Sequence, residues 1–265
     1  NNGINFSLND FEKLMRDEPE SYVELAIKYM NNGFISEAQK LLEKIDSKVN
    51  YATVKMWLGY IADKNGDKNE AKKMYLQALD LPVSNVFRLE TVDVLMQMSK
   101  YIPNNWKIYY YLGNLYYDNQ PDKALNYWHK CTELKADYAL AWRNIGWANH
   151  HYAKNLDVAE KAYLKAIELE PQAVYFEELD EILESKKASA KYRFDILNKH
   201  HNIIVKRYFP SVSEIILAVF LGKNDYALDL LRNGYYPTGE NVKSIHDVYV
   251  DALMMSSLEK SKTGD

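Results

Sequence analysis

Between Ala139 and Pro171 the chain reads ALAWRNIGWANHHYAKNLDVAEKAYLKAIELEP, and its apolar and small residues fall in two blocks with a helical period. Trp142, Ile145, Gly146 and Ala148 form the first block, which predicts a helix from Ala139 to about His151. A short polar break follows. Ala159, Ala162, Tyr163, Ala166 and Ile167 then restore the period until Pro171 forbids continuation. Gly146 inside a helix costs about 1 kcal/mol against alanine, so a close approach of the second helix is expected there. Ala159 and Ala166 are the small partners expected opposite it, with Tyr163 filling space towards the next unit.

The pattern recurs along the chain. YVELAIKYMNNGFISEAQKLLEKI places Tyr22, Leu25, Ala26 and Tyr29 before Ala38, Leu42 and Ile45. MWLGYIADKNGDKNEAKKMYLQALDLP places Leu58, Gly59 and Ala62 before Ala71, Tyr75, Ala78 and Pro82. YYLGNLYYDNQPDKALNYWHKC places Leu112, Gly113 and Tyr116 before Ala124, Trp128 and Cys131. A weaker late copy, AVFLGKNDYALDLLRNG, carries Gly222, Tyr226, Ala227 and Leu231. The turn at DNQPD is one residue shorter than the repeat expects, and AKNLD is one residue longer.

These residues resemble the tetratricopeptide pattern W-x-x-L-G-x-x-Y…A-x-x-x-F-x-x-A…P, a helix hairpin of about 34 residues. The resemblance implies an all-α fold, a right-handed α-solenoid of antiparallel hairpins forming a single superhelical domain over 1–265. Clear repeats are expected at 19–46, 52–82, 106–135 and 139–171. A single-helix insert (VFRLETVDVLMQMSKYI) is expected within 83–105, and degenerate repeats at 172–235. A last helix at 240–259, with Ile245, Val248, Tyr249, Ala252 and Leu253 on one stripe, is expected to cap the exposed end. From about Asn85 onward the chain is also similar to the C-terminal arrays of large bacterial proteins that carry a β-rich domain of unknown function upstream. Those relatives show an aromatic-His-Pro-Trp-Glu-Gly-Gly stretch before the last helix. Here Tyr235, Tyr236, Pro237, Gly239 and Glu240 keep part of it, without the His and the Trp.

Composition narrows the partners more than the fold. A net charge of −4 and a pI near 5.9 offer no general attraction to nucleic acid or to an anionic membrane. No apolar run approaches the ~20 residues of a membrane-spanning helix. Cys131 is the sole cysteine, which excludes an internal disulfide. The chain starts at Asn1 with neither a Met nor a signal-like segment, so it is expected to be part of a longer, soluble protein, cytoplasmic or periplasmic.

Candidate chemistry is sparse. His150 and His151 are adjacent on a helix, diverge by about 100° and are not expected to share a metal. No HExxH, paired CxxC or phosphate-cradling glycine loop occurs. FEELDEILES clusters Glu177, Glu178, Asp180, Glu181 and Glu184, most of them expected on a solvated face. The basic and aromatic residues of KYRF…NKHHNIIVKRYF, Lys191, Arg193, Lys199, Lys206 and Arg207 among them, are expected to pack amphipathically with snorkelling stems. Catalytic residues, cofactors and metals are therefore expected to be absent.

Function is then expected on the concave face, which in solenoids binds partners. The inward positions in the third and fourth hairpins are Lys107, Tyr110, Tyr111, Asn114, Tyr117, Arg143, Asn144, Trp147, His150 and His151. Tetratricopeptide proteins that clamp a carboxylate use Lys and Asn at inner positions. Asn114 and Asn144 match the Asn places, but Tyr110 stands where a Lys belongs, and Val23, Ile27, Met56 and Tyr60 carry no charge. That speaks against carboxylate clamping. The first expected role is a scaffold holding a protein or peptide segment, or packing on the upstream domain of its own chain. The second is a carbohydrate-associated module that uses aromatic platforms for a glycan. No nucleic-acid partner or membrane insertion is expected.

Overall fold

The computed structural model describes residues 13–234, 236 and 245–263, and among them all regular structure is helical. The chain divides into two compact units, Asn1–Ala136 and Asp137–Asp265. In the first, α1 (Pro19–Asn31) and α2 (Ile35–Asp46) form a hairpin, as do α3 (Ala52–Lys64) and α4 (Lys68–Asp80). α5 (Thr91–Tyr101) stands alone against α3 and α6, and α6 (Trp106–Tyr116) and α7 (Pro121–Leu134) close a third hairpin. In the second unit α8 (Ala139–His151) and α9 (Leu156–Leu169) pair. They are followed by α10 (Ala173–Ser185), α11 (Ala190–Lys199), the single turn α12 (His201–Ile204), α13 (Tyr208–Phe220), α14 (Asn224–Asn233) and α15 (Ile245–Thr263).

Local chemistry sets the helix starts. The side chains of Asp67, Asn105, Asn155 and Ser189 accept from backbone N–H groups in the first turns of α4, α6, α9 and α11. Pro121 opens α7, where its missing N–H has no helical partner to lose.

Within three hairpins, the glycine of the first helix lies under an aromatic ring of the second. A Cβ on Gly59 would sit 2.6 Å from the Tyr75 ring, and one on Gly146 would sit 2.5 Å from the Tyr163 ring. A Cβ on Gly113 would run into the Trp128 indole. The expectation that Gly146 accommodates Ala159 needs correction: Tyr163 is the main neighbour, and Ala159 contributes its carbonyl oxygen at 3.3 Å. Only a bare Cα lets a flat ring lie this close. The ring then fills its own hairpin, and Tyr75 and Tyr163 are fully buried.

Two boundaries differ from expectation. The helix of the insert begins at Thr91, and residues 82–88 run without helix. The Ser84 N–H donates to the Tyr111 hydroxyl of α6 and the Arg88 guanidinium donates to Glu24 of α1, and these bonds hold that stretch elsewhere. α15 continues past Glu259 to Thr263 and packs on α13 and α14, its stripe of Ile245, Val248, Ala252 and Ser256 turned inward. Its expected beginning at 240–244, and the residues Tyr235, Pro237, Gly239 and Glu240, lie outside the described residues.

The expected solvated face of α10 also needs correction. Glu178 and Asp180 are buried, because each has an arginine to neutralise it. Arg193 grips Asp180 in a fork with distances of 2.7 and 2.9 Å, and Arg207 pairs with Glu177. A third buried carboxylate, Glu214 of α13, is fully enclosed. It meets Asn198 Nδ2 at 3.2 Å, His201 Nδ1 at 2.7 Å and the Tyr226 hydroxyl at 2.7 Å.

Candidate functional site

The expected inward residues fall in both units and have different surroundings in each. In the first unit they are mostly engaged by the protein itself. Lys107 donates from Nζ to the carbonyls of Leu79 and Leu81, at 2.6 and 2.5 Å, and so caps the C-terminal end of α4. Burial holds its ammonium below the usual lysine range. Tyr111 is buried, and its hydroxyl accepts the Ser84 N–H at 3.1 Å. Tyr110 lies against it with ring centroids 5.9 Å apart. Asn114 accepts the indole N–H of Trp128 at 3.0 Å, and the ring of Tyr117 packs 5.5 Å from that indole. Asn114, the residue that matched a clamp position, thus holds the hairpin's own ring above Gly113.

In the second unit the residues form a stack along one face of α8. The Arg143 guanidinium lies 4.7 Å from the Trp147 ring centroid, and His151 lies 3.8 Å from the same ring on the next turn. His150 leans on His151 with centroids 4.4 Å apart. The expected divergence of these two imidazoles is therefore corrected. His151 is the last residue of α8, and its ring folds back onto Trp147, within reach of its neighbour. Among the described residues no group of three or more His, Cys, Asp or Glu side chains could hold a metal ion.

Glu178, not picked out as a site residue in the sequence, anchors the stack. Arg143 donates Nε to it at 2.9 Å, and a terminal guanidinium nitrogen reaches the other carboxylate oxygen. Burial alone would lower Arg143, but the hydrogen bond and charge of Glu178 reverse the direction, so the guanidinium stays charged. Asn144 Oδ1 lies 3.5 Å from that group. Burial first, with help from the charge of Lys154, holds His150 and His151 below the ordinary imidazole value. The face thus presents two imidazoles held toward their neutral form, an amide and an indole, with Arg143 already neutralised by Glu178. The acidic run around 177–184 was the available sequence signal for Glu178, but 35 positions separate it from Arg143.

A hollow of about 510 Å³ lies elsewhere in the second unit, between α9 and α11, lined by Leu164, Ile167, Pro171, Tyr192, Ile196 and His200 among others. Glu168, Asp195 and Lys199 also line it.

Paired helices with glycine-seated rings define the class: a protein of helix-hairpin repeats, all-α among the described residues. Residues 52–82 match the family model of the tetratricopeptide repeat. The chain is 20% identical to MamA from Desulfovibrio magneticus RS-1 over 64% of this chain and 86% of that one, with a TM-score of 0.37. It is 15% identical to a chain of the APC/C hetero-tetramer Cut9-Hcn1 over 78% and 44%, with a TM-score of 0.41. It is 13% identical to pilF of Pseudomonas aeruginosa over 91% of each chain, with a TM-score of 0.42. No curated protein matches the chain. None of the described helices is long and apolar enough to cross a membrane.

Proposed function

We propose that the protein is a non-catalytic interaction scaffold, and that the α8 face of Arg143, Asn144, Trp147, His150 and His151 receives an extended peptide or a neighbouring domain of its own chain. Helical-repeat proteins characteristically act through such faces. The observation that carries the reading is the pre-stacked row Arg143–Trp147–His151, held in place by Glu178. Its rotamers are set before any partner arrives, which lowers the entropic cost of binding. Its remaining donors and acceptors are neutral, which matches backbone amides better than carboxylates. The glycan reading draws less support, since a sugar platform needs an open ring face and Arg143 already lies over Trp147.

Phage-displayed random peptides and a panel of oligosaccharides, each tested against the wild-type chain and a Trp147→Ala/His150→Ala variant, separate these readings. Selected peptides should lose at least tenfold in affinity on the variant while its helical circular dichroism is unchanged. Peptides that bind both proteins equally, or binding of glycans alone, would overturn the peptide reading.

A further inference from the structure

The carboxylates of α10 are matched one by one to arginines, with one exception. Glu177 takes Arg207, Glu178 takes Arg143, and Asp180 takes Arg193, which also lies 3.6 Å from Glu184. The exception is Glu181. The charged neighbours that act on it are Glu177, Glu178, Asp180 and Glu184, all acidic. Partial burial first, and then those like charges, hold its carboxyl above the ordinary range. The partial positive charge at the start of α13 does not reverse that direction. This side of α10 therefore keeps an excess of negative charge.

Glu181 borders a hollow of about 410 Å³ between α10 and the first turns of α13. Its α10 wall is acidic, with Glu177 and Glu184 beside Glu181. Its α13 wall is largely apolar, and includes Ile216 and the ring of Phe209, more than half exposed. Tyr208 also lines the hollow, and its hydroxyl is buried without a hydrogen-bond partner among the described residues. Two acceptors, a carboxylate and a phenolic oxygen, thus stand unmet around one aromatic ring. Among the described residues no group of His, Cys, Asp or Glu side chains could hold a metal ion, so the missing cation is organic. A compact ammonium is strongly hydrated and gains little from the ring. A guanidinium is planar and weakly hydrated, stacks on an aromatic face, and carries several N–H donors in a fixed fork.

We propose that this hollow is a subsite for one arginine side chain of a partner protein, with Glu181 as its counter-ion and Phe209 beneath its plane. A side chain is favoured over the free amino acid, because free arginine would bring its own carboxylate against Glu177 and Glu184. The inference does not rest on the α8 face, since Trp147 and His150 take no part in it.

The test titrates the whole isotope-labelled chain with N-acetyl-arginine-N-methylamide and follows the NMR signals of the Glu181 and Phe209 amides and the Ile216 methyl. Saturable shifts are expected. The citrulline counterpart, equal in shape but uncharged, should bind at least about tenfold more weakly, the margin a hydrogen bond between charged groups supplies. A Glu181→Gln chain should lose a comparable factor, whereas a Trp147→Ala/His150→Ala chain should bind the probe as wild type does. Free L-arginine should bind more weakly than the blocked form. An absence of saturable shifts, equal binding of the arginine and citrulline probes, or unaltered binding by Glu181→Gln would overturn the proposal. Tighter binding of free L-arginine would overturn the partner protein as its source. Should Glu181→Gln lose its helical signal, Phe209→Ala takes its place, with lost binding expected and unaltered binding again overturning the subsite.

Discussion

The hairpins α3/α4, α6/α7 and α8/α9 and the helices after Pro171 both have apolar cores, but each region adds a different device to that packing. In the hairpins a glycine admits a ring, and the contact is between uncharged groups: Gly59 with Tyr75, Gly113 with Trp128, Gly146 with Tyr163. After Pro171 the helices share an apolar core around Phe176, Leu179, Phe194 and Ile215 and add buried carboxylates to it: Asp180 to Arg193, and Glu214 to Asn198, His201 and Tyr226, while Glu178 reaches back to Arg143 of α8. The first device works through shape and tolerates any solvent condition that leaves the fold intact. The second works through neutralisation. A buried carboxylate stripped of its partners is costly, and partners stripped of their carboxylate are costly too. The contrast predicts that the two regions respond to different perturbations.

The largest effect is expected from Glu214→Ala, which leaves Asn198, the Tyr226 hydroxyl and His201 without their common acceptor. Loss of one partner in a buried charged network typically costs about 3–5 kcal/mol. Thermal unfolding should show it, while Glu168→Ala on the surface of the same unit should be nearly silent. A loss below about 1 kcal/mol for Glu214→Ala would mean that the network is not what joins α11, α13 and α14.

Gly146→Leu attacks the other device. The new side chain must displace the Tyr163 ring, and overpacking of this kind costs typically about 1–3 kcal/mol. An unchanged unfolding midpoint would show that Tyr163 is not seated on Gly146, and the register of that hairpin would have to be redrawn.

A milder perturbation is pH. His150, His151 and His200 all lie in the second unit, and burial holds each below the ordinary value of 6.5. The folded chain therefore binds fewer protons than the unfolded one as pH falls through that value, and stability declines on acidification. Melting midpoints should drop between pH 7.5 and pH 5.5. A His150→Gln/His151→Gln/His200→Gln chain should show a flatter dependence, and an unaltered slope would contradict the assignment.

The hairpins were legible in the sequence because glycine, alanine and aromatic positions repeat within some 34 residues, and each contact is nearly local. The acidic segment of α10 was not. Glu178 and Asp180 look like a solvated face until Arg143 and Arg193 are brought to them by the fold, and the periodicity of a single helix holds no information about that pairing. The inward-facing residues were identified by register, but register alone could not show that Lys107 caps α4 or that Asn114 supports Trp128. Residues 82–88 depart from the expected helix for a related reason. Their apolar positions suit a helix period, and only the distant Glu20 and Glu24 draw Arg88 away from it.

The seated rings have one further consequence. Glycine and ring are 16 positions apart in α3/α4 (59 to 75), 15 in α6/α7 (113 to 128) and 17 in α8/α9 (146 to 163). The contact survives all three lengths, so the difference is absorbed in the turns. In the longest hairpin the turn bends through Lys154 at a φ of 54°, a left-handed conformation that Gly66 adopts at 86° in the middle case. Insertion or deletion of a single residue is thus a tolerated event in this architecture, provided that it lands between the helices. Lineages of such chains can therefore drift in length one residue at a time while every ring keeps its glycine.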